Sequence, residues 1–277
     1  MKWIVQDNLG RHYADQIKAA CEKLGYEYIP IKVIPFNHEW PGDLSKIYCC
    51  PCCERTVFYG ATNWISMIHE QNVPMFTGFY PGTFFNPEST FCCWNYEYGL
   101  HSLNCDAYCT TLKEILEEPI TVDFDELMFV RPESDQKEFA GQLIRRSEMK
   151  EWAEKCMTNA PDIYTLPIIV GEPYKIEKEW RLFIVGDEIS SASQYRTNRG
   201  LDESPEVPDK ILEFGKQMMK IYRPHEVFVM DVAEANGNLY VVEVGCFNSA
   251  GFYAANVEKV IKDVSEFVLQ TVHPSKR

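Results

Sequence analysis

The chain has 277 residues, 45% of them hydrophobic and 25% charged, with a formal net charge of −14. That length supports a full core in one large domain or two small ones, and the acidic balance excludes wrapping of nucleic acid or of an acidic membrane surface, which need a basic face. No apolar run approaches the roughly 18–20 residues of a membrane span, and Met1-Lys2-Trp3-Ile4-Val5-Gln6-Asp7 turns polar too soon for a secretory signal, so a cytoplasmic setting is expected.

The first half reads as short strands alternating with helices. Met1–Gln6 is a predicted strand, and Arg11–Leu24 an amphipathic helix with Tyr13, Ile17, Ala20, Cys21 and Leu24 on one side. Tyr26–Ile31, Lys46–Cys50 and Thr56–Gly60 are further strands, the last running into a helix at Asn63–Gln71. Residues 73–106, rich in Gly, Pro, Asn and aromatics, are expected to be irregular with short strands. Such alternation implies an open α/β sheet.

A boundary is expected near 107–125, giving a first domain at 1–118 and a second at 119–277. Thr111-Leu112-Lys113-Glu114-Ile115-Leu116 forms a short helix with Thr110 or Thr111 as N-cap, ended by Glu117-Glu118-Pro119. Longer, β-branched strands follow at Leu127–Val130, Thr165–Val170, Trp180–Val185, Ile189–Tyr195, Val227–Val232 and Leu239–Val244. Helices are predicted at Ser147–Cys156, Asp209–Ile221 and Val257–Thr271.

The chain carries 11 cysteines, densest at Cys49-Cys50-Pro51-Cys52-Cys53. In a cytosolic chain these are thiols or metal ligands rather than disulfides. Tetrahedral zinc needs four ligands, and no second Cys-x-x-Cys pair exists. The plainer reading is that Ile47-Tyr48-Cys49-Cys50 ends a buried strand where Cys packs as a small hydrophobe, and zinc is not expected.

Two acids carry most of the chemistry. Asp231 and Glu243 each close a strongly apolar strand, where an unpaired charge is costly. Asn236-Gly237-Asn238 between the two runs signals a hairpin. Counting back from that turn, 235 faces 239, 233 faces 241 and 231 faces 243, so the carboxylates are cross-strand neighbours. Like charges so placed call for a cation between them, and Asn248 adds a neutral oxygen that magnesium accepts. The plainer alternative is two strand-end acids in solvent, or one of them paired with Arg131 or Arg181.

The cations surround those acids. Arg131 ends a buried strand, and Lys137 follows on a polar loop at 133–141. A fixed fork plus a mobile point charge suits a triphosphate. Arg181 lies two residues into one later strand and Arg196 at the end of the next, both placed for a leaving phosphate or an acidic substrate.

These residues resemble the ATP-grasp superfamily. Glu179-Trp180-Arg181, followed by Tyr195-Arg196, is similar to its acid-x-Arg strand and partner strand. Asp231-Val232 and Val242-Glu243-Val244 are similar to its metal-binding strands, and Phe129-Val130-Arg131-Pro132 falls where many members carry Val-Lys-Pro. The arginines with the Lys-x-Phe-x-Gly loop resemble a phage and bacterial clade named for two arginines and a lysine. Thr56–Gly60 and Leu103-Asn104-Cys105-Asp106 resemble that clade's amino-terminal half.

The resemblance implies an α/β chain with two α+β lobes clasping ATP, preceded by a smaller Rossmann-like domain. It implies that Arg131 and Lys137 hold the phosphates, that Ile169, Val170, Gly171 and Glu172 form the adenine hinge, and that Glu179 binds the ribose. Arg181 and Arg196 would face the γ-phosphate and an acyl phosphate, with Lys137 beside them. Asp231, Glu243 and Asn248 would carry one or two magnesium ions. One departure is plain: most members place Asn two residues after the glutamate, where this chain has Gly245. The implied reaction is ATP-dependent ligation of a small-molecule or peptide carboxylate to an amine. A kinase-like phosphotransferase and a non-catalytic nucleotide-binding or cysteine-rich protein are the rivals. Arg199 and His225 stay unassigned, and Cys246 reads as a small loop residue rather than a nucleophile.

Overall fold

The computed structural model describes residues 1–8, 12–33, 56–61, 64–65, 91–118, 120–121, 123–133, 139–159 and 164–271. The expected strand at 46–50, the cysteine cluster at 49–53 and Lys137 lie outside them, as does all of the expected 63–71 helix except Trp64 and Ile65, which are helical.

The chain opens with β1 (Lys2–Gln6), α1 (Tyr13–Leu24), β2 (Glu27–Ile31) and β3 (Thr56–Tyr59), whose strands form a parallel sheet in the order β2-β1-β3. Helix α1 follows its predicted apolar side, with Ile17, Ala20 and Cys21 buried.

The next segment corrects the expectation of irregular structure across 73–106. Phe91–Tyr98 is a helix, α2. Its Phe91, Trp94 and Tyr98 recur at helical spacing and bury against the later helix that carries Phe214 and Met218. Tertiary burial of three aromatics outweighs a composition that by itself suggests loop.

Four strands then build an antiparallel sheet in the order β4-β7-β5-β6: β4 (Tyr108–Thr111), β5 (Leu127–Pro132), β6 (Gln142–Arg145) and β7 (Pro167–Gly171). Helices α3 (Leu112–Glu117) and α4 (Met149–Asn159) accompany it. Thr111 caps α3 reciprocally with Glu114, as the sequence suggested. A division at 118 cuts this sheet, because β4 and α3 precede it while β4 pairs with β7. The core here joins Leu112 and Ile115 to Met128, Val130, Ile144, Ile168 and Val170.

The last part is an antiparallel five-stranded sheet in the order β10-β9-β8-β11-β12. Its strands are β8 (Ile176–Val185), β9 (Glu188–Thr197), β10 (Gly200–Ser204), β11 (Val227–Ala235) and β12 (Asn238–Cys246). Helices α5 (Asp209–Ile221) and α6 (Val257–Thr271) have the bounds expected from the sequence. No described helix is long and apolar enough to cross a membrane.

The two faces of this sheet are covered differently. Trp180, Leu182, Ile184, Phe228, Met230, Val232 and Val244 pack against α2 and α5. A Cβ on Gly215 of α5 would lie 2.3 Å from Leu182, so glycine is what lets the helix approach that closely. On the opposite face Phe183, Val185, Val227 and Val229 share one core with α6, α1, β1 and β3. The amino-terminal sheet is thereby fixed to the sheet that carries the acids.

Candidate active site

The hairpin that presents the acids is tighter than the count from the turn implied. Asn236 and Gly237 both take positive φ, 51° and 76°, as a two-residue turn matched to strand twist requires. Ala235 therefore faces Asn238 rather than 239, and Ala233 faces Tyr240 rather than 241. A register shift between Asp231 and Val232 makes Val242 an extra residue on β12, and beyond it Asp231 does face Glu243. Without this bulge Glu243 would point to the other side of the sheet.

A second bulge sits at the same level of the sheet. Glu179 pairs with Arg196 and Trp180 with Gln194, which leaves Tyr195 as the extra residue of β9. Its hydroxyl donates to Glu179 Oε2 at 2.6 Å and lies 3.4 Å from Asp231 Oδ2. Burial first, then the neighbouring Asp231 and Glu179 carboxylates, push the Tyr195 phenol well above its ordinary range, so it stays a donor.

Between the bulges lies a row of four residues on one face, Ser193, Arg181, Asp231 and Glu243. Arg181 donates from Nε to Asp231 Oδ1 at 2.8 Å and from Nη2 to Oδ2 at 2.7 Å. Burial works against the Arg181 cation, but the Asp231 charge and its hydrogen bonds hold the proton firmly. The guanidinium carbon lies 5.7 Å from the Tyr195 ring centre and 5.2 Å from that of Tyr253. Those rings stack 4.9 Å apart at 16°. Glu179, one pairing step along β8, is 6% exposed and has Arg196 at 3.7 Å. Burial raises its carboxyl above the ordinary range; the Tyr195 bond and Arg196 pull it down, while Asp231 and Glu243 push it up.

The structure thus brings Glu179, Arg181, Arg196, Asp231 and Glu243 together. It places the other candidates elsewhere. Arg131 shares a row with Ile169 and Cys109 on the four-stranded sheet, its guanidinium 4.9 Å from the Phe91 ring centre. Its Nε is buried and unpartnered among the described residues. Ile169 is buried with Phe91, Trp94 and Trp180, whereas Val170 points into the lobe's own core. Gly171 packs close to Ala107, and Asn104 donates to the Glu172 carbonyl at 3.4 Å. The 102–107 segment is held in turn on β12, where Leu103 N donates to Val241 O at 2.9 Å.

Asn248 lies in a different setting. It is fully buried, its Nδ2 donates to Phe58 O at 2.6 Å, and Cys246 Sγ lies 3.6 Å from its Oδ1. Its carbonyl accepts from Gly60 N at 2.9 Å. It clasps the end of β3 to the turn after β12.

Among the described residues no group of three or more His, Cys, Asp or Glu is placed to hold an ion. The donor chemistry at Asp231 and Glu243 nevertheless fits a hard divalent cation that takes its remaining oxygens from phosphate and water. In the structure Arg181 supplies the positive charge, so the ion pair weighed as the plainer alternative is present. Tyr195 and Tyr253 complete the site. The first was legible only as a neighbour of Arg196, and nothing in the local sequence marks the second.

The fold is shared with solved structures. A RimK domain ATP-grasp protein from Sphaerobacter thermophilus is 12% identical, with 97% of this chain and 100% of that chain covered at a TM-score of 0.60. D-alanine–D-alanine ligase from Bacillus anthracis is 11% identical, with 97% of each chain covered at 0.61. The ATP-grasp ligase PsnB, complexed with minimal precursor, Mg and ADP, is 12% identical, with 97% and 98% covered at 0.56. No curated protein matches the sequence. The family model described as ATP-grasp domain, R2K clade family 3, matches residues 93–264, from α2 into α6, and spans both the acid hairpin and the arginine strands. The chain belongs to that ATP-grasp family.

Proposed function

We propose that the protein is an ATP- and magnesium-dependent ligase that joins a carboxylate to an amine through an acyl phosphate. The observation that carries this reading is the row of Arg181, Asp231 and Glu243, flanked by Glu179 and Arg196, on one face of an ATP-grasp sheet. The similar structures named as D-alanine–D-alanine ligase and as the ATP-grasp ligase PsnB support it.

In this reading the hinge at 169–172 holds adenine through backbone groups, and Glu179 accepts from the ribose hydroxyls. Arg131, on the four-stranded sheet, and Lys137 hold the phosphates. Asp231 and Glu243 hold the metal, which offsets polyphosphate charge and fixes its oxygens when bound. Asn248 is assigned to the clasp on β3, because its amide is already engaged there. Arg181 and Arg196 stabilise charge on the transferred phosphoryl group. The substrate carboxylate attacks the γ-phosphorus and ADP leaves; the amine then attacks the acyl carbon and inorganic phosphate leaves. Such chemistry asks for positioning and charge rather than a protein nucleophile.

Screening pools of carboxylates and amines for ADP release tests the proposal, and a separate assay with hydroxylamine in place of the amine traps an acyl phosphate as a hydroxamate. Phosphate release that needs both acid and amine is expected. A phosphorylated product that accumulates without amine would identify a phosphotransferase instead.

A further inference from the structure

The carboxylate assigned to the metal is already occupied. Each oxygen of Asp231 accepts one arm of the Arg181 fork, at 2.8 and 2.7 Å, and the pair is buried, with side chains 12% and 5% exposed. Arg181 is also fixed from above: Gly251 O lies 3.5 Å from its Nη1, and the stacked rings of Tyr195 and Tyr253 flank it. Tyr253 holds that place at φ 51°, a backbone region that a large side chain adopts rarely and at a cost.

A guanidinium and a metal ion compete for one carboxylate. A free cation that took Asp231 would leave Arg181 buried without a counter-charge, which is costly. A polyphosphate removes that obstacle, because its oxygens offer the fork another anion of matching geometry. Resting on the ligase reading of the site, we propose that Arg181 closes Asp231 to free metal ions and releases it only when nucleotide phosphates arrive. Metal then enters with the nucleotide, and the coupling between the two ligands runs through Arg181.

Manganese is the probe, its free concentration read by electron paramagnetic resonance with no nucleotide present. Arg181→Met is expected to bind Mn²⁺ at least tenfold more tightly than the parent, and adding Asp231→Asn to it should abolish the gain. A β,γ-imido analogue of ATP is then titrated calorimetrically in EDTA and in Mn²⁺. The ratio of the two affinities is large in the parent and falls at least tenfold in Arg181→Met. An arginine that merely adds positive charge would shift metal affinity equally with and without the analogue, and that result would overturn the proposal. So would unchanged or weaker Mn²⁺ binding by Arg181→Met. Arg181→Gln, which keeps one hydrogen bond without charge, serves if Arg181→Met does not fold, with the same gain expected. If Asp231→Asn alone leaves Mn²⁺ binding in the presence of the analogue intact, the metal assignment itself fails. If it abolishes that binding while the Arg181 variants change nothing, only the closing role is lost.

Discussion

Two adjacent rows on one face of the five-stranded sheet have the same geometry and opposite chemistry. Ser193, Arg181, Asp231 and Glu243 form one row; two residues along each strand, Ser191, Phe183, Val229 and Gly245 form the next. The period-two alternation that assigns residues to a face does not separate them. What separates them is the cover. Phe252 stacks on Phe183 at 5.2 Å and 14°, and the next residue, Tyr253, lies over Arg181. One turn of chain thus seals an apolar row and lines a charged one. The core beside the site holds the charged row rigid, as electrostatic preorganisation requires.

Paired truncations test that division most severely. Asp231→Ala leaves the buried Arg181 without its partner, a loss of about 3–5 kcal/mol, and ADP release is expected to fall about 10³-fold. Phe183→Ala opens a cavity in the neighbouring row at a similar cost of about 3–5 kcal/mol. Its KM for ATP should stay near that of the parent when measured well below the melting temperature. A matching rise in KM would show that the two rows are one functional unit.

Much of this arrangement was legible beforehand, and the reasons for the rest are physical. The strands carrying Arg181, Asp231 and Glu243 and both large helices announced themselves through long apolar periodicities. The facing of Asp231 with Glu243 came out right although the intermediate pairings did not: the true turn is shorter, and the Val242 bulge restores the register. A bulge depends on packing against the neighbouring strand and leaves little local trace. Strands β4, β6 and β10 bury one residue or none, so no apolar run marks them in the sequence. Tyr253 earns its place through contacts with Arg181 and Tyr195, distant in sequence, and through a positive φ set by the loop as a whole.

Asn248 offers a smaller effect and a sharper distinction. Asn248→Ala removes the side-chain hydrogen bond to the Phe58 carbonyl, a loss of about 0.5–1.5 kcal/mol visible in the urea midpoint. If the residue is a clasp, Mn²⁺ affinity in the presence of an ATP analogue stays unchanged. A tenfold loss of that affinity would make it the metal ligand that the family resemblance implies.

The smallest expected effect separates binding from stability at Glu179. Burial raises this carboxyl above its ordinary value, so in the folded protein it keeps its proton to higher pH than in the unfolded chain. The folded state therefore binds more protons within that window, and stability falls as pH rises through it. The contribution is fully present below the ordinary carboxylate value and lost above the raised one. Nucleotide binding should run the other way, because two ribose hydroxyls need an acceptor and the ionised carboxylate supplies one. As pH rises through that raised value, KM for ATP should fall by roughly tenfold or less while the urea midpoint also falls. Glu179→Gln, with nothing to ionise, should flatten both curves. A KM that keeps its pH dependence in that variant would move the ribose contact to another residue, whereas a flattened KM with an unchanged stability slope would mean that other carboxylates set the stability. Opposite slopes removed by one substitution would tie the buried acid to the ligand rather than to the fold.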